Sequence, residues 1–181
     1  VKDWWKAAVL VAIAIVVAYA FTNLRGAKGY ALRSGSEAPG FRLPGLDGSV
    51  VELASFRGQV VVVNFWATWC PPCVDEMPSL EKLHRALGPE GLVVLGVSAD
   101  EDEQALRQFV TRTGVTFRIL RDPGGRNAAR SYHTTGYPET FVVDRAGVLH
   151  ESFIGPSEWA SPGAIDHFRD LLRKASTAPI R

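Results

Sequence analysis

The chain has 181 residues, 46% of them hydrophobic and 22% charged, with a formal net charge of +1. That length bounds it at one globular domain plus a smaller piece. A near-neutral charge without basic runs argues against nucleic acid as a partner, and no internal repeat or low-complexity tract suggests a solenoid or a disordered arm.

The smaller piece comes first. Ala7 to Phe21 (AAVLVAIAIVVAYAF) carries no charge, and Trp4 and Trp5 ahead of it suit a membrane interface. Counted from Trp4, the segment gives roughly 27 Å of helix, just short of a hydrocarbon core of about 30 Å. A retained anchor over residues 1–21 is the favoured reading. The alternative is a signal sequence cut after Ala18-Tyr19-Ala20, which has the small-residue pattern of a cleavage site. A buried core helix fits poorly, because the segment is apolar all round and terminal. Lys2 and Lys6 before it and Arg25, Lys28 and Arg33 after it leave the orientation open. Residues 22–36 are polar, Gly-bearing and aperiodic, a tether spanning roughly 20 Å root-mean-square. The domain is expected over 37–175, with a short tail at 176–181.

Within the domain, Phe41 to Leu53 turns at Asp47-Gly48 and reads as an N-terminal hairpin. Val60 to Phe65 is a nearly continuous β-branched run, as expected of a strand buried on both faces. It leads into Trp69-Cys70-Pro71-Pro72-Cys73, which holds the only two cysteines. Pro71 and Pro72 suit the first turn of a helix, where a missing N–H costs little. Cys73, Met77, Leu80, Leu83 and Leu87 continue at helical spacing until Gly88-Pro89 ends the run. Leu92 to Val97 reads as a second buried strand. Asp100, Glu101, Asp102 and Glu103 open a helix whose inner face is Leu106, Phe109 and Val110. Phe141 to Val143 and Val148 to Phe153 form a hairpin around Asp144-Arg145-Ala146-Gly147, and Ser161-Pro162 caps a last helix with Ile165, Phe168, Leu171 and Leu172 inside. Strands alternating with helices, then a hairpin and a closing helix, predict an α/β sandwich with a mixed central sheet.

Three chemistries fit a Cys-x-x-Cys pair. A static disulfide closing so short a loop contributes only about 2 kcal/mol in the chain-entropy picture, and a domain of this size needs no staple. Half a zinc site needs two more ligands, yet His84, His133, His150 and His167 are scattered singly. A redox dithiol is the favoured reading.

Phe65-Trp66-Ala67-Thr68-Trp69-Cys70-Pro71-Pro72-Cys73, then Met77-Pro78, then Gly136-Tyr137-Pro138-Glu139-Thr140-Phe141, resemble the TlpA/ResA branch of membrane-tethered thioredoxin-like proteins. Gly35, Ala38, Pro39 and Phe41 extend the likeness, so that it covers about residues 37–175. It implies a thioredoxin-like three-layer sandwich with an N-terminal hairpin extension and a longer segment before the cis-proline strand, preceded by one transmembrane helix. The implied activity is thiol-disulfide exchange, most of all reduction of disulfides in extracytoplasmic proteins such as apocytochrome c. No cofactor is implied beyond the Cys70–Cys73 disulfide. The implied partners are protein disulfides, a membrane electron donor of the thiol-disulfide transporter type, and the membrane itself through the N-terminal helix. The place implied is the bacterial cytoplasmic membrane with the domain outside the cytoplasm, or the soluble periplasm if the leader is cleaved.

The resemblance assigns roles residue by residue. Cys70 is the attacking thiol, at a helix N-terminus that favours its thiolate. Two prolines and no histidine between the cysteines argue for a reductant-leaning pair. Cys73 resolves the mixed disulfide and must first lose its proton. Plain thioredoxins place an aspartate six residues before the first cysteine. Asn64 stands there and cannot take that proton, so Glu76, three residues after Cys73, is the expected acceptor. Read without the family, Glu76 is a solvated helix charge. Pro138 is the expected cis-proline, Tyr137 offers its backbone to an extended substrate, and Glu139 adds specificity or is merely a charge at a strand start. Trp69, Pro71 and Pro72 form the rim of the site, Trp66 packs beneath it, and His133 is structural or solvent-exposed. Other classes fit less well. A peroxidase of the same broad fold needs a Pro-x-x-x-Thr-x-x-Cys loop. A copper-delivery module needs a histidine ligand and three residues between its cysteines. A third possibility within the same chemistry is reduction of copper-site cysteines during oxidase assembly.

Overall fold

The computed structural model describes residues 32–176, together with Val9 and Ile13, both helical and exposed. Apart from those two residues the proposed anchor lies outside the described residues, as do most of the tether and nearly all of the tail. Among the described residues no helix is long and apolar enough to cross a membrane.

Among the described residues seven strands form two sheets. β1 (Arg42–Pro44) and β2 (Val50–Glu52) pair antiparallel around the Asp47-Gly48 turn, where the Asp47 carboxylate accepts from Ser49 N–H at 2.9 Å. The main sheet has the order β5-β4-β3-β6-β7, with β3 (Val60–Trp66), β4 (Leu92–Ser98) and β5 (Arg118–Arg121) parallel, and β6 (Glu139–Val143) and β7 (Leu149–Ile154) antiparallel. Every residue of β3 is buried, because this central strand is covered on both faces.

Side chains alternate across β3, so one strand feeds two cores. Val60, Val62 and Trp66 face three helices: α1 (Pro71–Leu87), α2 (Glu103–Thr113) and α4 (Pro162–Ser176). Val61, Val63 and Phe65 face the N-terminal hairpin and the short α3 (Ala128–Ser131), with Tyr132 between Phe65 and Phe141. Asp102 caps α2 by accepting from Gln104 N–H and Ala105 N–H, and Gly114 ends it at a positive φ of 69°. The mixed-sheet expectation holds. The sequence reading lacked β5, α3 and short 3-10 turns at Leu53–Phe56, Gly88–Glu90 and Pro123–Gly125. β5 and α3 both lie in the longer segment between β4 and Pro138.

The sheet order sets the place of the chemistry. β3 and β4 end side by side at Trp66 and Ser98, and β6 begins there at Glu139. The dithiol loop, the loop after β4 and the peptide before β6 therefore meet at one end of the sheet.

Candidate functional site

Cys70 is the N-cap residue of α1 and Pro71 its first helical residue. The Cys70 N–H donates to Ala67 O at 3.2 Å, closing a tight turn over Thr68 and Trp69, and Val74 N–H donates to Cys70 O. Cys70 and Cys73 are joined by a disulfide with their Cα atoms 5.3 Å apart. Cys70 is 6% exposed and Cys73 is fully buried, so of the two cysteines only Cys70 keeps any exposure. Pro71 and Pro72 lack N–H groups, which leaves the first turn of α1 with fewer donors to aim at a Cys70 anion.

The loop that carries Cys70 is tied down from the neighbouring strand. Asp100 is buried, and its carboxylate accepts from Thr68 N–H at 3.0 Å, Thr68 Oγ1 at 2.6 Å and Ser98 Oγ at 2.7 Å. The sequence reading took Asp100 for one of four charges opening a helix. A run of acidic residues does not reveal which one turns inward.

Glu76 is 4% exposed, which overturns its reading as a solvated helix charge. Its Oε1 accepts from Asn64 Nδ2 at 2.8 Å, and its Oε2 accepts from Ser157 N–H and Trp159 Nε1, each at 3.0 Å. Burial pushes the Glu76 carboxyl above its ordinary value, and these three donors pull it only partly back. It lies one turn beyond Cys73 on the same helix, a spacing that puts Cβ atoms about 5–6 Å apart. A desolvated base beside a buried thiol can take that thiol's proton. Nothing in the local sequence marks Ser157 and Trp159 as its partners. They arrive from the β7–α4 loop, about 80 residues downstream.

The opposite wall is the peptide before β6. The Tyr137–Pro138 bond is cis, and Pro138 O accepts from Gly155 N–H at 2.9 Å. The Tyr137 ring stands edge-on to Trp69 at 5.8 Å between centroids. Burial, then the nearby Asp122 charge, raises the Tyr137 phenol. Trp69 is 64% exposed, and Pro71 and Pro72 are exposed beside it, so the rim around Cys70 is apolar and open. Ile154, 78% exposed, continues this apolar character at the end of β7, opposite Glu139 in register.

Glu139 does not join that rim. It is 5% exposed, and its Oε2 accepts from Thr135 N–H at 2.9 Å, so its carboxylate shapes the loop before Gly136 and does not face outward as a specificity contact would. Trp66 is fully buried against Phe109, as a packing residue. His133 is exposed with a positive φ of 53° in the turn that ends α3. Among the described residues no group of three or more His, Cys, Asp or Glu is placed to hold a metal ion.

The redoxin family profile matches residues 33–167. The chain is 34% identical over 172 residues to the thiol-disulfide oxidoreductase ResA of Halalkalibacterium halodurans, covering 95% of this chain and 96% of the relative. It is 36% identical to the thioredoxin-like protein YneN of Bacillus subtilis, covering 83% and 89%. Among solved structures, the thioredoxin domain of a thiol-disulfide oxidoreductase from Bacteroides vulgatus superposes with a TM-score of 0.68 at 26% identity, covering 76% of this chain and 98% of that one.

Proposed function

This chain belongs to the redoxin family and is a thiol-disulfide oxidoreductase, and from that premise we propose that it works as a reductase of disulfides in extracytoplasmic proteins, apocytochrome c foremost. The observation that carries the reading is a buried Glu76 one turn beyond a fully buried Cys73, with Cys70 the more accessible of the two cysteines. In the reduced protein the Cys70 thiolate attacks one sulfur of the substrate disulfide, and the other substrate sulfur leaves as a thiolate and takes a proton from water. Glu76 then accepts the Cys73 proton. The Cys73 thiolate attacks the Cys70 sulfur of the mixed disulfide, and the second substrate sulfur departs as a thiolate and takes a proton from water. Two electrons have passed from the dithiol to the substrate, and the Cys70–Cys73 bond is restored. A membrane electron donor of the thiol-disulfide transporter type returns the pair to the dithiol.

The direction of flow is supported by the chemistry of the loop. Two prolines and no histidine between the cysteines disfavour the very stable thiolate of a strong oxidant near −120 mV, so the potential belongs below about −200 mV. The likeness to ResA and the Gly136–Phe141 motif support apocytochrome c as substrate. The uncharged segment before Thr22 supports a membrane-anchored protein with its domain outside the cytoplasm.

A Cys73→Ser variant tests the proposal, because the mixed disulfide on Cys70 then persists and can be isolated. Capture of an apocytochrome haem-site cysteine is the expected result. Capture of copper-site cysteines of an oxidase subunit would move the protein to oxidase assembly. Equilibration with glutathione at a potential near −120 mV would make it an oxidant and refute the reductase reading.

A further inference from the structure

β3 brings Asn64 to the sheet face that α1 covers, between Val62 and Trp66 of the core that also holds Cys73. Its side chain is wholly buried, and its hydrogen bonds are unequally shared. Both amide hydrogens are spent, one on Glu76 Oε1 at 2.8 Å and one on Thr140 Oγ1 at 2.9 Å. Its Oδ1 has no partner. A buried carbonyl oxygen without a donor costs free energy, and one kept beside the reacting thiols calls for a chemical reason.

The reason lies in the near-symmetry of the amide. Turning it over about its terminal torsion exchanges acceptor for donor and leaves its shape almost unchanged. In the orientation observed, the NH2 faces Glu76 and suits a carboxylate. In the turned orientation, Oδ1 faces Glu76 and Thr140. It can accept from the Thr140 hydroxyl, and from Glu76 only when Glu76 carries a proton. Glu76 Oε2 already holds two fixed donors, Ser157 N–H and Trp159 Nε1, so an added proton belongs on Oε1, the oxygen that Asn64 faces. Among the described residues no charged side chain contributes to the Glu76 environment; its hydrogen-bond partners are Asn64, Ser157 and Trp159, and Cys73 stands one turn back on the same helix. An aspartate at position 64 would set two carboxylates at hydrogen-bond distance, and a leucine would serve neither state of Glu76.

Resting on the reading of Glu76 as acceptor of the Cys73 proton, we infer that Asn64 is a positioning residue whose amide turns over as Glu76 gains that proton. In this step the Cys73 S–H bond breaks and the Glu76 Oε1–H bond forms, with no change in oxidation state. Asn64 Oδ1 then accepts the new O–H, and its NH2 swings to the place of the orphaned oxygen. Each charge state of Glu76 is thereby hydrogen-bonded, and the proton can return when the cycle reverses.

The test is a pH titration of the oxidised full chain, with the Asn64 side-chain amide and the Glu76 carboxyl carbon followed together by NMR. The expected result is one shared midpoint for both signals. In Glu76→Gln the Gln side chain must place its NH2 toward residue 64, so the Asn64 amide should keep its low-pH signature at every pH. Asn64→Leu should slow resolution of the mixed disulfide by roughly tenfold, the equivalent of one lost hydrogen bond, and move the midpoint of its pH profile. A Glu76 carboxyl that titrates while the Asn64 amide stays unmoved would overturn the inference and leave the role of Glu76 standing. An unchanged resolution profile in Glu76→Gln would instead remove Glu76 from the proton transfer, and the inference with it.

Discussion

Replacing Asp100 with alanine removes the tie between the Cys70 loop and the end of β4. Three donors lose their acceptor: Thr68 N–H, Thr68 Oγ1 and Ser98 Oγ. A hydrogen bond to a charged group is worth about 1.5–3 kcal/mol, and a donor stranded in the interior costs about 1–3 kcal/mol. Ser98 is fully buried and bears that cost outright. Thr68 is half-buried, so water replaces part of what it loses. Removing a buried carboxylate also returns some desolvation free energy. The balance is a loss of about 3 kcal/mol, which for a domain of this size lowers Tm by roughly 6–12 °C.

The same tie holds the turn over Thr68 and Trp69, so the loss should be local as well as global. Thermal unfolding of the oxidised Asp100→Ala protein measures the first effect. Hydrogen exchange measures the second, with faster exchange expected at the Cys70 amide, which donates to Ala67 O within that turn. A destabilisation below about 1 kcal/mol, an ordinary value for a surface substitution or a single neutral hydrogen bond, would refute Asp100 as the anchor of the loop.

Other substitutions test the two cores and the buried acid. Burial raises the Glu76 carboxyl above its ordinary 4.5, so its protonated form favours the fold and that contribution disappears as pH rises through the folded value. Glu76→Gln should therefore gain stability relative to the parent as pH climbs from about 4 toward neutrality, read from urea midpoints across pH; a difference that does not change with pH would refute the shift. Tyr132 is buried against Phe65 and Phe141 and its hydroxyl has no partner, so Tyr132→Phe should stabilise the fold by about 1 kcal/mol. A loss in the urea midpoint would show that the hydroxyl is satisfied. Gly96 lies in the fully buried part of β4, where a Cβ would come within 2.9 Å of Ile119 Cδ1 and Phe117 Cε2. Gly96→Ala should cost about 1–3 kcal/mol by overpacking, measured the same way, and a neutral substitution would mean that this core yields more easily than its contacts suggest.

Where a segment's periodicity and its burial agree, the sequence was sufficient. β3, β4 and α1 are read directly from Val60–Phe65, Leu92–Val97 and the spacing of Cys73, Met77, Leu80, Leu83 and Leu87, because these residues, the half-buried Val93 apart, are buried as their positions predict. β5 escaped because Arg118 and Arg121 bracket only two apolar residues. It exists because β4 offers it an edge: four residue pairs run in parallel register from Leu95–Arg118 to Ser98–Arg121. No local pattern encodes an edge supplied by another strand. α3 was missed for a related reason, since its four residues are capped from outside by Asp122, which accepts from Asn127 N–H and Ala129 N–H.

The site divides along the same line. The two cysteines and the prolines between them are contiguous, and their chemistry follows from their order in the chain. The environment of Glu76 is not contiguous at all. One donor comes from β3, twelve residues before it, and two from the loop ahead of α4. A glutamate at i+3 from a cysteine on a helix can equally face solvent or core, and only the arrival of Trp159 over it decides between them. Trp159 is itself fixed by Phe153 on β7 and Phe168 on α4, with ring centroids 5.1 and 6.2 Å away. In the proposed mechanism the last strand and last helix of the domain, whose sequence carries no sign of catalysis, therefore act on the reaction by keeping a carboxylate dry and hydrogen-bonded one turn from Cys73.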